Sequence, residues 1–235
     1  MEEILFEQNS QMLFFMYIIS GALGAMISAY FLKIYRVFSS AHIFGLIIGF
    51  ALVSFGDFFF SSTLDAANSN DIFNVLHWLR LSLLSYGFVF IGLVYCFKKS
   101  TERKFRLVTK TALVSLIPIG ASLMIAGINN SFLPDFQHYN EYFRIANLAA
   151  LGYIIFKIGT NPDLQTRTDL FLLPLGFCTI FLGQYLRLLF TIDPTSFTLV
   201  ISSTLKIIGL GMILVALARK PKNPEITNKS TSYGT

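Results

Sequence analysis

Long apolar stretches dominate this chain and leave it few ways to fold. An apolar run of about 18 residues or more predicts a helix that crosses a membrane. Seven such runs follow one another with only short connections between them. They cover residues 12–34, 41–62, 72–97, 107–127, 139–159, 168–191 and 196–218. The sequence therefore predicts an all-α polytopic membrane bundle of seven transmembrane helices, formed by residues 1–218.

Composition agrees with this fold class, since 54% of the residues are hydrophobic and only 13% are charged. Soluble domains carry roughly 25% charged residues. The short connections leave no room for a soluble catalytic, ligand-binding or kinase domain, so function must reside in the bundle or pass to a partner. Residues 219–235 are polar and are predicted to form a disordered cytoplasmic tail. We expect a multi-pass protein of the cell membrane, with the lipid bilayer as its surroundings.

Basic residues predict the orientation of the bundle. Fourteen of the 18 Lys and Arg residues fall on one side, whereas the opposite loops carry aspartates and neither Lys nor Arg. The positive-inside rule then places the N-terminus outside and the C-terminus in the cytoplasm. The net charge of +5 follows from this sorting and needs no nucleic-acid partner. The fourteen lie at Lys33, Arg36, 98–110, Lys157, Arg167 and in the tail from Arg219.

The other four cations, Arg80, Arg144, Arg187 and Lys206, lie inside predicted membrane segments. Lys206 is near the middle of the last segment, where an ammonium costs about 2.5 to 3.5 kcal/mol on insertion scales. An ionisable group at such a depth indicates a functional site. With the predicted orientation, the three arginines lie in the outer half of the bundle and Lys206 forms the floor beneath them.

Polar neighbours accompany these cations. Residues three apart on a helix share a face, and a histidine, a glutamate and a glutamine each precede one arginine by three positions. The hydroxyls of Ser202 and Ser203, about one turn before Lys206, are expected to accept hydrogen bonds from its ammonium. The pattern predicts an outward-facing polar chamber. Its candidate ligand-binding residues are Asp57, His77, Arg80, Glu141, Arg144, Gln184, Arg187, Ser202 and Lys206.

Two interpretations of this chamber stand side by side. In the structural one, Glu141 pairs with Arg144, and Asp57 pairs with Arg80 or Arg187, so that ion pairs pin the helices, or the arginine side chains extend to the outer lipid headgroups. In the functional one, four cations meet only two carboxylates, and a small anionic or carbonyl ligand, chloride or ordered water relieves the excess. The sequence shows no pattern of metal-binding histidines, no Ser/His/Asp constellation and no phosphate-binding glycine loop, so we do not expect an enzyme or a metal site.

Short matches between segments predict an internal duplication. Segments 1 to 3 and 5 to 7 would form parallel repeats joined by segment 4, a 3+1+3 layout. Gly21, Gly24, Gly45 and Gly49 are then expected to be positions of close helix packing. The matches are Gly49 to Asp57 with Gly176 to Gln184 at a separation of 127 residues, Ala22 to Gly24 with Ala150 to Gly152 at 128, and IGL at Ile91 with IGL at Ile208 at 117.

The 3+1+3 layout resembles the microbial rhodopsins and the small sugar and vitamin carriers. The segment SSTLKIIGLGMIL around Lys206 is similar to the retinal-binding segment of the rhodopsins, which implies retinal on Lys206. Ser202 and Leu83 stand where that family has carboxylates, so Asp57 is the counterion that the resemblance leaves available. Apart from retinal, no cofactor is expected.

Segments 3 and 6 are similar in their pattern of residues to seven-helix membrane domains that precede prokaryotic sensor kinases. Their sequences are RLSLLSYGFVFIGLVY and LPLGFCTIFLGQYLRLLF. This resemblance implies signalling through a cytoplasmic partner or within a larger membrane complex, by way of the loop at 98–110 or the tail. We expect a sensor or receptor-like protein for a small ligand. The alternative is a small-solute transporter of the 3+1+3 type, although the apolar cytoplasmic halves of segments 2, 3, 6 and 7 favour a closed floor.

Overall fold

The computed structural model describes residues 10–38, 40–64, 70–96, 137–160, 171–192 and 195–219. This part of the chain is helical, as the apolar segments predict. The segment predicted at 107–127, the basic loop at 98–110 and the tail beyond Arg219 lie outside the described residues. The helices are α1 (Ser10–Phe38), α2 (Ala41–Leu64), α3 (Asn70–Cys96), α4 (Gln137–Gly159), α5 (Leu172–Ile192) and α6 (Ser196–Ala218).

Five of these helices, α1, α2, α3, α5 and α6, are long and apolar enough to cross a membrane. Their sequences are apolar around most of the circumference, and many large apolar side chains are exposed on them, as lipid-facing helices require. α4 is of similar length but less apolar, because polar and charged residues fill much of its first half. The chain is a multi-pass helical membrane protein.

The six described helices form a closed ring. Each packs on the next one in chain order, and α6 packs back on α1. Contacts between α3 and α4 give their relative direction. Near the starts of both helices, the rings of Trp78 and Phe143 have centroids 5.6 Å apart. Near the end of α3, a Cβ on Gly92 would lie 3.9 Å from Ile154. These two helices therefore run in the same direction.

Glycines bring α2 and α3 into close contact. A Cβ placed on Gly87 would lie only 2.8 Å from the carbonyl oxygen of Gly49 and 2.7 Å from Val53. A Cβ on Gly49 would lie 2.6 Å from Ile91. Gly49 was predicted to be a close-packing position, and this prediction is confirmed, as it is for Gly21 and Gly24 at the contact of α1 with α2.

The contact between α5 and α6 repeats this arrangement residue for residue. A Cβ on Gly209 would lie 2.6 Å from the carbonyl oxygen of Gly176 and 2.5 Å from Ile180, while a Cβ on Gly176 would lie 2.7 Å from Ile213. Gly49 and Val53 thus correspond to Gly176 and Ile180, a separation of 127 residues. Gly87 and Ile91 correspond to Gly209 and Ile213, a separation of 122.

A second glycine pair gives the same register. A Cβ on Gly56 would face Arg80 and Leu84 of α3, and a Cβ on Gly183 would face Ser202 and Lys206 of α6. The separations are again 127 for the glycines and 122 for their neighbours. Two independent contacts therefore relate α2 with α3 to α5 with α6.

Burial relates the remaining helices, α1 and α4. The buried positions 13, 17, 20, 24 and 27 of α1 match the buried positions 140, 144, 147, 151 and 154 of α4 at a separation of 127. The chain thus contains two similarly packed units, which we call the first half (α1 to α3) and the second half (α4 to α6). They are related by an approximate two-fold axis along the centre of the ring.

Two of the predicted repeat registers need correction. The IGL motifs at Ile91 and Ile208 are not equivalent, since Ile91 is fully buried and Ile208 is 43% exposed. The predicted separation of 128 residues between α1 and α4 is also wrong and becomes 127. Gly24 is buried and corresponds to the buried Leu151, whereas Gly152 is only half-buried. In both cases a short apolar match was misleading, because the face that packs decides the register.

The buried core divides into two clusters, which lie at different levels along the length of the helices. The larger cluster takes apolar residues from all six helices, among them Phe50, Phe88, Ile154, Phe177 and Ile213. The smaller cluster contains Leu13, Tyr17, Phe60, Phe190 and Leu199, near the starts of α1 and α6 and the ends of α2 and α5. Ser20, Asp57, Gln184 and Lys206 each lie between members of the two clusters along their own helix.

Candidate functional site

A buried ion pair joins the two halves. The Lys206 Nζ atom lies 2.7 Å from Asp57 Oδ1 and 2.6 Å from Oδ2. Asp57 is fully buried and Lys206 is 6% exposed. Ser20 donates a further hydrogen bond of 2.6 Å to Oδ2. Since an isolated charge inside a bundle is costly, each partner makes the burial of the other possible.

Close packing of α1 on α2 delivers Ser20 to this carboxylate. The Ser54 hydroxyl donates a 2.6 Å hydrogen bond to the carbonyl oxygen of Gly21. A Cβ on Gly24 would lie 3.2 Å from Ser54. Small residues on both helices thus allow the backbones to approach, and the serine one turn before Gly24 reaches Asp57.

Arg80 lies between two aromatic rings. Its guanidinium carbon is 4.3 Å from the centroid of Tyr17 and 4.1 Å from that of Phe60. Cation–π contacts of this kind contribute about 2 kcal/mol or more when they are desolvated. The Nε atom of Arg80 has no hydrogen-bond partner among the described residues. The rings therefore stabilise the charge while leaving donor capacity on the guanidinium.

Arg187 uses the other end of the same tyrosine. Its Nη2 atom donates a 3.0 Å hydrogen bond to the Tyr17 hydroxyl. Its guanidinium also lies 5.6 Å from the Phe190 ring centroid. Tyr17 on α1 is thus shared by arginines from α3 and α5, and this contact is a second polar link between the halves.

Beside these groups is a small cavity, which we call the central cavity. Its volume of about 30 Å³ is sufficient for about two water molecules. Pockets for drug-sized ligands measure about 300 to 1,000 Å³. The site thus suits a ligand of very few atoms. The lining residues are Tyr17, Arg80, Leu81, Leu84, Arg144, Gly183, Gln184, Arg187, Ser202, Ser203 and Lys206.

The central cavity lies on the approximate two-fold axis, because most of its lining falls into equivalent pairs. These pairs are Tyr17 with Arg144, Arg80 with Ser202, Leu81 with Ser203, and Leu84 with Lys206. The three remaining residues all belong to α5. The cavity therefore lies between the halves and extends toward the second one.

Six of the nine predicted site residues line the central cavity, and Asp57 joins them through its ion pair with Lys206. His77 is buried and packs edge-on against the Phe60 ring, with centroids 4.6 Å apart, and it does not line the cavity. Glu141 is exposed on α4 and is likewise absent from the lining. The six are Arg80, Arg144, Gln184, Arg187, Ser202 and Lys206.

Two expected pairings differ from those in the structure. Asp57 was expected to pair with Arg80 or Arg187 if the charges were structural, whereas it contacts Lys206. The hydroxyls of Ser202 and Ser203 donate to the Leu199 carbonyl oxygen at 2.8 and 3.1 Å instead of accepting from the ammonium. Bonding within their own helix satisfies the two hydroxyls, while Asp57 satisfies the ammonium.

Sequence reasoning missed the contributions of α1. Tyr17 and Ser20 contact three of the predicted residues, yet a tyrosine and a serine in an apolar segment carry no charge to mark them. A signal was present in the spacing, because Tyr17, Ser20, Gly21 and Gly24 fall on one helix face. Asn147, the equivalent of Ser20 in the second half, is also buried, and its amide atoms have no hydrogen-bond partner among the described residues.

Comparison with protein-family models, with curated proteins and with solved structures finds no match to this chain. The resemblance to rhodopsins and to sensor domains therefore stays an expectation from the residues quoted for it. The geometry adds that Lys206 contacts Asp57, the counterion which that resemblance left available. The cavity beside Lys206 has a volume of about 30 Å³, well below that of pockets for drug-sized ligands.

Proposed function

We propose that this chain is a sensor or receptor-like membrane protein that binds a small anionic or carbonyl ligand in the central cavity. One observation carries the proposal. Arg80, Arg144, Arg187 and Lys206 all line the central cavity, and each residue is at least nine-tenths buried. Among the residues whose burial the structure describes, Asp57 is the one buried carboxylate. A negative or strongly dipolar ligand complements this cationic site.

The larger buried cluster supports the receptor interpretation. Apolar side chains from all six described helices fill the ring on one side of the ion pair, and the smaller cluster, which contains Tyr17, lies on the other side. A ligand in the central cavity would meet this packed layer before it crossed the bundle. A site that is closed on one side can bind a ligand and transmit a signal. A transporter must also open its site to the opposite side of the membrane.

The position of the cavity favours the second candidate, a small-solute transporter of the 3+1+3 type. Transporters built from internal repeats place their substrate site at the interface between the repeats, where the halves can rock against each other. The central cavity occupies such an interface. Solute flux therefore has to be measured directly to separate the two functions.

The topology that we propose has seven transmembrane helices, with the N-terminus outside and the C-terminus in the cytoplasm. The parallel directions of α3 and α4 support this topology, because the end of α3 and the start of α4 lie at opposite ends of the bundle. A connection between these ends agrees with the apolar segment predicted at 107–127. Signalling would then pass to a cytoplasmic partner at the basic loop or the tail.

Calorimetric titration of the protein in lipid nanodiscs tests the proposal. Chloride, nitrate, acetate and neutral acetamide are titrated separately, against a background of gluconate. We expect binding of at least one of them, weakened at least tenfold by Arg144→Gln and unchanged by Arg36→Gln, which removes an exposed arginine at the end of α1. If none of the four binds the wild-type protein, the proposed function is wrong.

Two further measurements separate the alternatives. Flux of the bound solute into liposomes that disappears in Lys206→Ala would replace the receptor with the transporter. Addition of all-trans-retinal is expected to produce no absorbance band in the visible range, because the central cavity is too small for it. A visible band lost in Lys206→Ala would establish the rhodopsin-like function instead.

A further inference from the structure

Lys206 stands between a carboxylate and the central cavity. Its ammonium contacts both oxygens of Asp57, and its side chain lines the cavity, whereas Asp57 does not. An anion entering the cavity would therefore approach an ammonium that already has a counterion. Asp57 and the incoming anion are alternative partners for the same positive charge.

Among the residues that the structure describes, the buried charged groups that share this site with Asp57 are cations. Lys206 contacts it from α6, Arg80 on α3 and Arg187 on α5 meet at Tyr17 of α1, and Arg144 on α4 lines the cavity. Two further titratable groups are also close. They are the Tyr17 hydroxyl, which accepts from Arg187, and His77 on α3, whose ring packs against Phe60.

We infer that the site binds a small anion together with one proton, the proton going to Asp57 as the anion becomes the counterion of Lys206. This inference rests on the proposed function. Without the proton, the anion and the Asp57 carboxylate would both face the ammonium of Lys206, and their repulsion in a medium of low dielectric constant would offset part of the attraction that the three arginines exert on the anion. With it, one ion pair replaces another, no bond to carbon changes, and the net charge of the site is conserved.

The coupling is reciprocal, so the affinity for the anion must depend on pH. A low pH favours the protonated carboxyl and therefore tightens anion binding. As the pH rises, the dissociation constant is expected to increase by up to about tenfold per pH unit, the limit for one proton. The proton taken up is expected to stay on Asp57 inside the bundle, because Asp57 and its hydrogen-bond donor Ser20 are both buried.

The test uses the wild-type protein in nanodiscs with chloride and then nitrate as the probe. Titrations are run across pH, and at each pH in two buffers of different ionisation enthalpy, which reports the protons taken up per anion. We expect uptake approaching one proton and a dissociation constant that rises with pH. Anion binding with no proton uptake and no pH dependence would overturn the inference and leave the proposed function intact.

Variants assign the proton to a residue. Asp57→Asn imitates the neutral carboxyl, so it is expected to bind chloride independently of pH, with the affinity that the wild-type protein has at low pH. If pH dependence persists in Asp57→Asn and disappears in His77→Gln, the histidine takes the proton and the inference is wrong. Should Asp57→Asn fail to fold, His77→Gln decides: the inference holds if this variant keeps the proton uptake of the wild-type protein and is wrong if the uptake is lost. Absence of anion binding at every pH would instead contradict the proposed function itself.

Discussion

The first and second halves of this protein share their backbone packing and differ in their charges. Gly49 meets Gly87 in one half as Gly176 meets Gly209 in the other. At the level of the central cavity, however, Asp57 corresponds to Gln184, and Leu84 to Lys206. The comparison teaches that the close helix contacts are alike in both halves, whereas the polar side chains differ, and in the described part of the chain they form an ion pair that has no symmetric counterpart.

Divergence of this kind follows from what each contact tolerates. A glycine at a backbone crossing has no substitute, because even a Cβ would lie well within van der Waals distance of the facing chain. A polar side chain that points to the axis faces a space shared by both halves. One charge there changes the partner that the opposite half requires, so unlike residues come to occupy equivalent positions.

The ion pair offers the largest test of the comparison. Lys206→Met leaves Asp57 as a buried carboxylate without its cation, and we expect the protein to lose about 3 to 5 kcal/mol of stability. The equivalent change in the first half, Leu84→Met, is expected to cost less than about 1.5 kcal/mol. Unfolding in mixed detergent micelles measures both, and the double variant Lys206→Met with Asp57→Asn should recover most of the loss. Equal losses at 84 and 206 would contradict the claim that the ion pair distinguishes the halves.

Ser20 and its equivalent Asn147 provide the next test. Ser20→Ala removes a hydrogen bond to a charged group and is expected to cost about 1.5 to 3 kcal/mol. Asn147→Leu replaces an amide whose atoms have no hydrogen-bond partner among the described residues, so we expect it to be neutral or stabilising. The same unfolding assay compares the two. A large loss in Asn147→Leu would show that the amide is bonded in the native protein.

The glycine contacts give the smallest expected effect and test the equivalence itself. Gly87→Ala and Gly209→Ala are each expected to cost about 1 to 3 kcal/mol, because the added methyl would lie within 3 Å of the facing carbonyl oxygen. Gly211→Ala is the matched control, since a Cβ there would meet nothing within 4 Å. It should be neutral or slightly stabilising in the same assay. Losses in one half only would mean that the two contacts are not equivalent.

Much of the site was predictable from depth and spacing. Arg80, Arg144, Arg187 and Lys206 stood out because a charge inside an apolar segment is costly wherever the helices pack. The contributions of Tyr17 and Ser20 were not predictable in this way, since neither residue is unusual in a membrane helix. Their role comes from the neighbours that packing brings to them.

By itself, the sequence determined that this is a helical membrane protein with buried cations at one level and glycines where helices meet. Those features depend on local properties: the length of apolar runs, the cost of a charge in lipid, and the size of a side chain. Only the tertiary structure decided that Lys206 pairs with Asp57, that α1 and α4 are offset by 127 residues and α3 and α6 by 122, and that the cavity lies between the halves. The physical reason is that partner choice and register depend on which faces of distant helices meet.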